Sequence, residues 1–406
     1  MAFSPRILFL DHAGVLGGAE LFLLDVARHH RSRSMVLLFE DGPFQTALEE
    51  ASVPVQVTPA SDAIYRVKKE ARWFDALAAV PGLLSLVLRV ARYARSYDVI
   101  YANSQKAMIV GAIAGLLSRR PVVWSLHDML TADHFSSLNR RLVISFANHL
   151  IDRVVVNSEA TRSAFIESGG DGTKTGLVYN GFDGSRFPRK DPSSPSQLKS
   201  ELGLEQDTPL VGVFSRLSPW KGQHVLVRAL ASLPDVHAVL VGDALFRSDD
   251  GYADQLRSLA STLKVADRLH FLGFRSDVPQ LMCGVDIVLH TSTAPEPFGR
   301  VIVESQLVGT PVIATAAGGA LEIVRHEDTG LLVPPEDEKA LAKAIGRLLS
   351  NSSTATRLAN RARIRANTQF SLNAMLEAMD DQLLLALGGA QRHLPQTKNT
   401  NQISYN

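Results

Sequence analysis

The chain has 406 residues, 46% hydrophobic and 20% charged, a length and balance that predict two folded domains and exclude wholesale disorder. Its 42 Lys and Arg against 41 Asp and Glu leave a formal charge of +1, which excludes holding nucleic acid by bulk electrostatics. Cys283 is the single cysteine, so no intrachain disulfide, cysteine-cluster metal site or dithiol redox pair is available.

The opening MAFSPRILFL has too short an apolar run for a signal peptide, and the most apolar segment, Ala76 to Leu88, is interrupted by Pro81. A soluble, cytoplasmic protein is the expectation. Strands are predicted at Ile7–Leu10, Met35–Phe39, Val53–Val57, Val99–Tyr101, Val122–Ser125, Arg153–Val156 and Gly176–Tyr179. After a break they resume at Leu210–Phe214, Ala238–Val241, Leu269–Leu272, Ile287–His290, Val312–Ala314 and Gly330–Val333. These runs are continuously apolar rather than alternating, as in parallel sheets covered on both faces. Helical stretches such as Glu20–His29, Leu142–Leu150, His224–Ala231 and Lys339–Leu349 lie between them, which predicts doubly wound α/β sheets. The break holds Pro188, Pro192, Pro195 and several serines and reads as a linker, with one short helix near Gln197–Leu202. The expected organisation is a first domain over 1–182, a linker over 183–208, a second domain over 209–370 and a helix over 371–388. A polar tail over 389–406 is expected to be disordered.

Ligands of open α/β sheets bind beyond the carboxyl ends of the strands, so the loops there carry the functional candidates. The first is Asp11-His-Ala-Gly14-Val-Leu-Gly17-Gly18-Ala-Glu20, whose glycines allow close approach of an anion at a helix N-terminus. Glu40 ends the next strand where a ribose-binding acid of a dinucleotide site would sit. The spacing of Gly14, Gly17 and Gly18 does not fit that fingerprint. The second loop is Ser215-Arg216-Leu-Ser-Pro-Trp-Lys221-Gly222, where two cations at the mouth of a sheet suit a diphosphate. The third is Pro295-Glu296-Pro297-Phe298-Gly299-Arg300-Val-Ile-Val-Glu304. Pro297 predicts a helix start and Gly309 its end. On one continuous helix the two acids would lie roughly 12 Å apart, too far to share a proton and suited to two hydroxyl-bearing ends of a ligand. No Asp-x-Asp occurs, so no metal site is expected there.

Arg216 and Lys221 followed by Glu296-x7-Glu304 resemble the retaining glycosyltransferases of the GT-B fold, family 4. Further matches follow in chain order: Gly17-Gly18, His127 in Ser-Leu-His-Asp, Asn157-Ser158, Asn180-Gly181-Phe-Asp183, Gly242-Asp243, Leu272-Gly273 and Gly318-Gly319-Ala-Leu-Glu322. Leu321 departs from the family's usual proline. The resemblance covers about residues 5 to 370 and implies two Rossmann-like parallel-sheet domains facing a central cleft, acceptor side first and nucleotide-sugar donor side second. It implies that the C-terminal helix crosses back to the first domain. Arg216 and Lys221 would bind the donor diphosphate, and Glu304 the ribose. Glu296 with the backbone of Phe298 and Gly299 would hold the transferred sugar. Gly17 and Gly18 would meet the phosphate, Gly273, Phe274 and Arg275 would border the base, and His127 would lie near sugar and acceptor.

The implied activity is retaining, metal-independent transfer of a hexose, with a UDP-sugar the expected donor, to a glycan or lipid-linked acceptor in polysaccharide or glycoconjugate synthesis, without a cofactor. Two rival readings stay open: a sugar-nucleotide 2-epimerase and a non-catalytic sugar-nucleotide-binding protein. Arg66, Lys68, Lys69 and Arg72 precede the apolar stretch Leu83 to Val90, which ends with Arg89, Arg92 and Arg95. That basic 66–95 region suits peripheral contact with the inner face of a membrane, or an ordinary buried helix with a solvated end.

Overall fold

A computed structural model describes residues 5–58, 73–130, 137–191, 193–244 and 251–391. The chain divides into two compact units. Unit 1 takes Met1–Val156, Phe165–Val178 and Leu376–Asn406, and unit 2 takes Asn157–Ala164 and Tyr179–Met375.

Unit 1 is built on a parallel sheet in the order β3-β2-β1-β4-β5-β6-β7. Its strands are β1 (Ile7–Asp11), β2 (Ser34–Leu38), β3 (Val55–Val57), β4 (Val99–Ala102), β5 (Val122–Leu126), β6 (Arg153–Val156) and β7 (Thr175–Leu177). Strands β1, β4 and β5 are buried along their whole length, which explains their continuously apolar sequence. Helices Gly18–His29, Trp73–Ala94, Gln105–Ser118 and Ser137–Leu150 connect the strands. Gly111 lets helix Gln105–Ser118 approach the sheet, since a Cβ there would lie 3.2 Å from Leu10.

Unit 2 carries a second parallel sheet in the order β10-β9-β8-β11-β12-β13. Its strands are β8 (Leu210–Phe214), β9 (His237–Val241), β10 (Leu269–Gly273), β11 (Ile287–His290), β12 (Val312–Thr315) and β13 (Leu331–Val333). The strand order reverses direction between β1 and β4 in unit 1, and between β8 and β11 in unit 2. These are the topological switch points at which such sheets bind ligands.

Two expectations change. The segment 183–208 is not a free linker but part of unit 2. Its helix Gln197–Glu201 buries Leu198, Lys199 pairs with Asp286 at 3.1 Å, and the Ser196 hydroxyl donates to the Gly284 carbonyl at 2.8 Å. Proline and serine here shape an ordered wrap, and the apolar anchors Phe182, Phe187, Leu198 and Leu202 fix it to the core. The helix predicted from Pro297 begins only at Arg300, because Gly299 before it takes φ +100°.

The C-terminal helix runs Leu372–Gln391, and from Leu376 it belongs to unit 1. There Asp380 meets His30 at 2.9 Å, and Gln382 accepts from Arg153 at 2.6 Å. The predicted tail lies outside the described residues from residue 392 onward, as do Arg66, Lys68, Lys69 and Arg72. Helix Trp73–Ala94 runs through Pro81, and among the described residues no helix is long and apolar enough to cross a membrane.

Candidate functional site

In unit 2 the two loops at the switch point are tied together. After β8 the chain makes a short 3-10 turn, Pro219–Lys221, and Gly222 then opens helix Gln223–Leu230 with φ +70°. A Cβ on Gly222 would fall 1.9 Å from the Thr291 carbonyl oxygen, so only glycine lets this turn press against the loop after β11. That contact delivers Lys221 to Glu296: Nζ to Oε1 is 2.7 Å, with the two side chains 13% and 14% exposed. Glu296 Oε2 accepts from His290 Nε2 at 2.6 Å and from the Ser292 hydroxyl at 3.1 Å. Trp220 carries Lys221 Nζ 4.3 Å from its ring centre and the Arg216 guanidinium at 5.3 Å.

Burial alone pushes the Glu296 carboxyl upward. The Lys221 ammonium and the His290 ring, through charge and hydrogen bonds together, hold it well below the usual carboxylate range. The result is an ionised carboxylate bound on both oxygens in a nearly closed setting. Because an ammonium has three donors and Glu296 uses one, Lys221 can still reach an anionic ligand.

The loop of Glu296 is also clamped from beneath. Gly319 N–H donates to the Glu296 carbonyl at 2.8 Å, and Gly318 takes φ +60° with a Cβ position 2.3 Å from that same oxygen. Phe298 and Gly299 are buried behind it. Glu304 lies on helix Arg300–Val308, where burial raises its carboxyl and Arg300, 3.7 Å away, partly opposes the rise. Since Glu296 precedes that helix, the helical rise does not set its distance from Glu304. Gly273 ends β10 with φ +64°, and Phe274 beside it is 76% exposed. Arg275 is held by both Asp277 and Glu201 at 2.7 Å, so it braces its loop. Glu322 accepts from the backbone N–H groups of Glu159 and Ala160 at 2.9 Å, capturing the start of helix Glu159–Glu167 for unit 2.

In unit 1 Gly17 caps helix Gly18–His29, but its N–H already donates to Glu20 Oε2 at 2.9 Å. The Glu20 carboxyl is pushed up to about 7, chiefly by burial and then by the charge of Asp11. Gly14 serves packing: a Cβ there would meet the Asp41 carbonyl oxygen at 1.9 Å. His127 follows β5, and its Nε2 lies 3.0 Å from Asn103 Oδ1 and 2.9 Å from Ser125 Oγ. Behind them Asn103 Nδ2 donates to Asp11 Oδ2 at 2.7 Å.

Sequence reasoning missed His290, Ser292, Asn103 and Asp11 as partners of the named residues. Each stands at, or one or two residues beyond, a strand's carboxyl end, the position that carries ligand chemistry in such sheets. Among the described residues the only three-residue group with metal-ligand spacing is His29, His30 and Asp380, which includes none of the candidates above.

Comparison with known proteins supplies an independent line. Residues 196–365 match the family described as glycosyl transferases group 1, and residues 17–181 the glycosyl transferase 4-like domain. Anabaena Alr3699/HepE, crystallised in complex with UDP and glucose, is 43% identical with a TM-score of 0.84, over 94% of this chain and 100% of that one. The lipopolysaccharide core biosynthesis glycosyltransferase LpsE of Rhizobium meliloti is 35% identical over 180 residues, 44% of this chain and 51% of that protein. A D-inositol 3-phosphate glycosyltransferase of Mycobacterium marinum is 30% identical over 301 residues, 70% of this chain and 62% of that protein. The chain thus spans about half to three fifths of the length of these two curated relatives.

Proposed function

Because the chain belongs to the group 1 glycosyltransferases of the GT-B fold, we propose that it moves a hexose from a nucleotide-diphosphate sugar to a glycan or lipid-linked acceptor. The observation that carries this reading is the bound carboxylate at the switch point of unit 2, Glu296 between Lys221 and His290, with Arg216 and Lys221 on either side of the loop tip at Trp220.

In this reading Arg216 and Lys221 bind the diphosphate. They stabilise the charge that grows on it as the bond to the sugar breaks. Glu296, fixed as an ionised acceptor, takes hydrogen bonds from sugar hydroxyls, beside the backbone of Phe298 and Gly299. Glu304 accepts from the ribose, and Gly273 with Phe274 borders the base. In unit 1, Gly17 and Gly18 serve the phosphate and His127 the sugar and acceptor. The Gly17 amide must first exchange its Glu20 partner, which a carboxyl near neutrality can release.

UDP is the proposed nucleotide and glucose the proposed sugar, since a protein 43% identical was crystallised in complex with both. Transfer proceeds with retention. The bond from the anomeric carbon to the diphosphate oxygen breaks, the acceptor oxygen bonds to that carbon on the same face, and the acceptor proton passes to the departing phosphate. The two cations take the charge role that a divalent ion would otherwise fill. Exposed Val80, Leu84 and Leu88 on helix Trp73–Ala94, with exposed Arg89 and Arg92, support an acceptor met at an anionic membrane surface.

The test is product analysis with UDP-glucose. Release of UDP with free or acceptor-bound glucose of unchanged anomeric configuration supports the reading. An epimerised donor, or a donor bound and returned intact, would replace it with one of the two rivals.

A further inference from the structure

Three strand ends of unit 1 bring Asp11, Asn103 and His127 into one hydrogen-bonded chain, in which Asp11 is 0% and Asn103 2% exposed. The orientation of the Asn103 amide follows from its surroundings. Nδ2 lies 2.7 Å from the Asp11 carboxylate and 3.2 Å from the Ala19 carbonyl, two groups that accept. Turned around, the amide oxygen would face both acceptors with no proton between them. Oδ1 therefore points to His127 Nε2, 3.0 Å away, and a carbonyl oxygen can only accept. The Asp11 carboxylate is anchored in turn, since its Oδ1 takes the His12 N–H at 2.6 Å.

We propose that Asp11 and Asn103 are positioning residues that fix neutral His127 as the tautomer protonated at Nε2, leaving Nδ1 as the acceptor. Ser125 Oγ, 2.9 Å from the same nitrogen, shares that proton as a second acceptor, and the Phe22 ring packs against the imidazole at 5.2 Å and 68°. Burial strengthens the lock, because an unprotonated Nε2 would leave its lone pair facing the Asn103 oxygen in a low-dielectric setting. A hydroxyl that meets the ring at Nδ1 must then come as a donor, so the ring orients it while its proton passes to the departing phosphate. This functional consequence rests on the proposed role of His127 beside sugar and acceptor. The tautomer itself does not.

The test uses the full chain labelled with 15N-histidine near neutral pH, with His127 identified by its disappearance in His127→Gln. Long-range proton–nitrogen correlation should show Nε2 protonated and Nδ1 unprotonated. Asn103→Ala and Asp11→Asn should move both nitrogens toward tautomer-averaged shifts, with far-UV circular dichroism unchanged. Nδ1 protonated in the parent protein overturns the proposal, as do unchanged shifts in folded Asn103→Ala, and the first needs no variant to fold. With UDP-glucose, Asn103→Ala should lose on the order of tenfold in kcat with little change in donor KM, less than the about 10²–10⁴-fold a proton-transferring side chain contributes. Shifts that move while kcat stays put would uphold the lock and refute the placement of His127 in transfer.

Discussion

Replacing Lys221 by Ala should leave the Glu296 carboxylate in place with half its charge partners gone. The ion pair measures 2.7 Å between side chains that are 13% and 14% exposed, so its loss is felt more than that of a surface pair. Orphaning one charge of a buried pair costs about 3–5 kcal/mol. Here His290 and Ser292 stay on the other oxygen, so the expected cost falls to about 2–3 kcal/mol. For a unit of this size that is a fall in Tm of roughly 4–12 °C. Glu296→Gln should cost less, about 1–2 kcal/mol, because the Lys221 ammonium can swing to solvent and rests on Trp220. The pair should be non-additive: in a double-mutant cycle, the combined variant should lose about 1–2 kcal/mol less than the sum of the singles.

The pH dependence has a definite sign. The folded Glu296 carboxyl is held below its ordinary value, so its stabilisation is present above about pH 4.3 and fades as pH falls from there toward the folded value. Without Lys221 the upward push of burial meets less opposition, so the variant has less to lose on acidification. Thermal unfolding of the four proteins, followed from about pH 7.5 to about pH 2.5, should show a steady gap between parent and Lys221→Ala above about pH 4.3 that narrows below it. Additive losses within about 0.5 kcal/mol, or a gap independent of pH, would refute the account of this pair.

Gly222→Ala should lower Tm in the ligand-free protein, since a Cβ at φ +70° falls 1.9 Å from the Thr291 oxygen, and an unchanged melting curve would contradict the turn's role. Glu304→Ala should weaken UDP binding by roughly tenfold or more, the loss of charged hydrogen bonds worth about 1.5–3 kcal/mol each, whereas Glu296→Ala should mostly spare UDP and lower transfer. Calorimetry on both variants checks that division, which equal losses would reject. Transfer from UDP-glucose should survive excess EDTA. Abolition by chelation with recovery only on adding a divalent metal would reassign the charge role of Arg216 and Lys221.

The central strands of both sheets were legible because strands such as β1, β4, β8 and β11 are buried along their whole length and read as apolar runs. Arg153–Val156, Leu210–Phe214 and Ile287–His290 fall where their composition places them. The linker was misread because proline and serine mark turns whether or not those turns pack, and packing came from a few spaced apolar anchors such as Leu198 and Phe187. The helix that carries Glu304 starts late because Gly299, two residues after Pro297, takes a left-handed φ that lies in no propensity. Arg216, Lys221 and Glu296 stood out as charges in loops after strands. That Lys221 and Glu296 would pair depended on Gly222 pressing one loop on another 70 residues away, a contact that no local pattern encodes. Asn103 and Asp11 look like ordinary strand-end polar residues until the β1–β4 pairing brings them together.

The central claim is that the loops after β8 and β11 bind the diphosphate of a nucleotide sugar. Calorimetric titration of the intact chain with UDP and with UMP tests it most directly, repeated on Arg216→Ala and Lys221→Ala. The account predicts one UDP per chain, UMP bound more weakly, and each substitution weakening UDP by about tenfold or more while leaving UMP nearly unaffected. UDP and UMP bound alike, or UDP affinity unchanged in both folded variants, would contradict it.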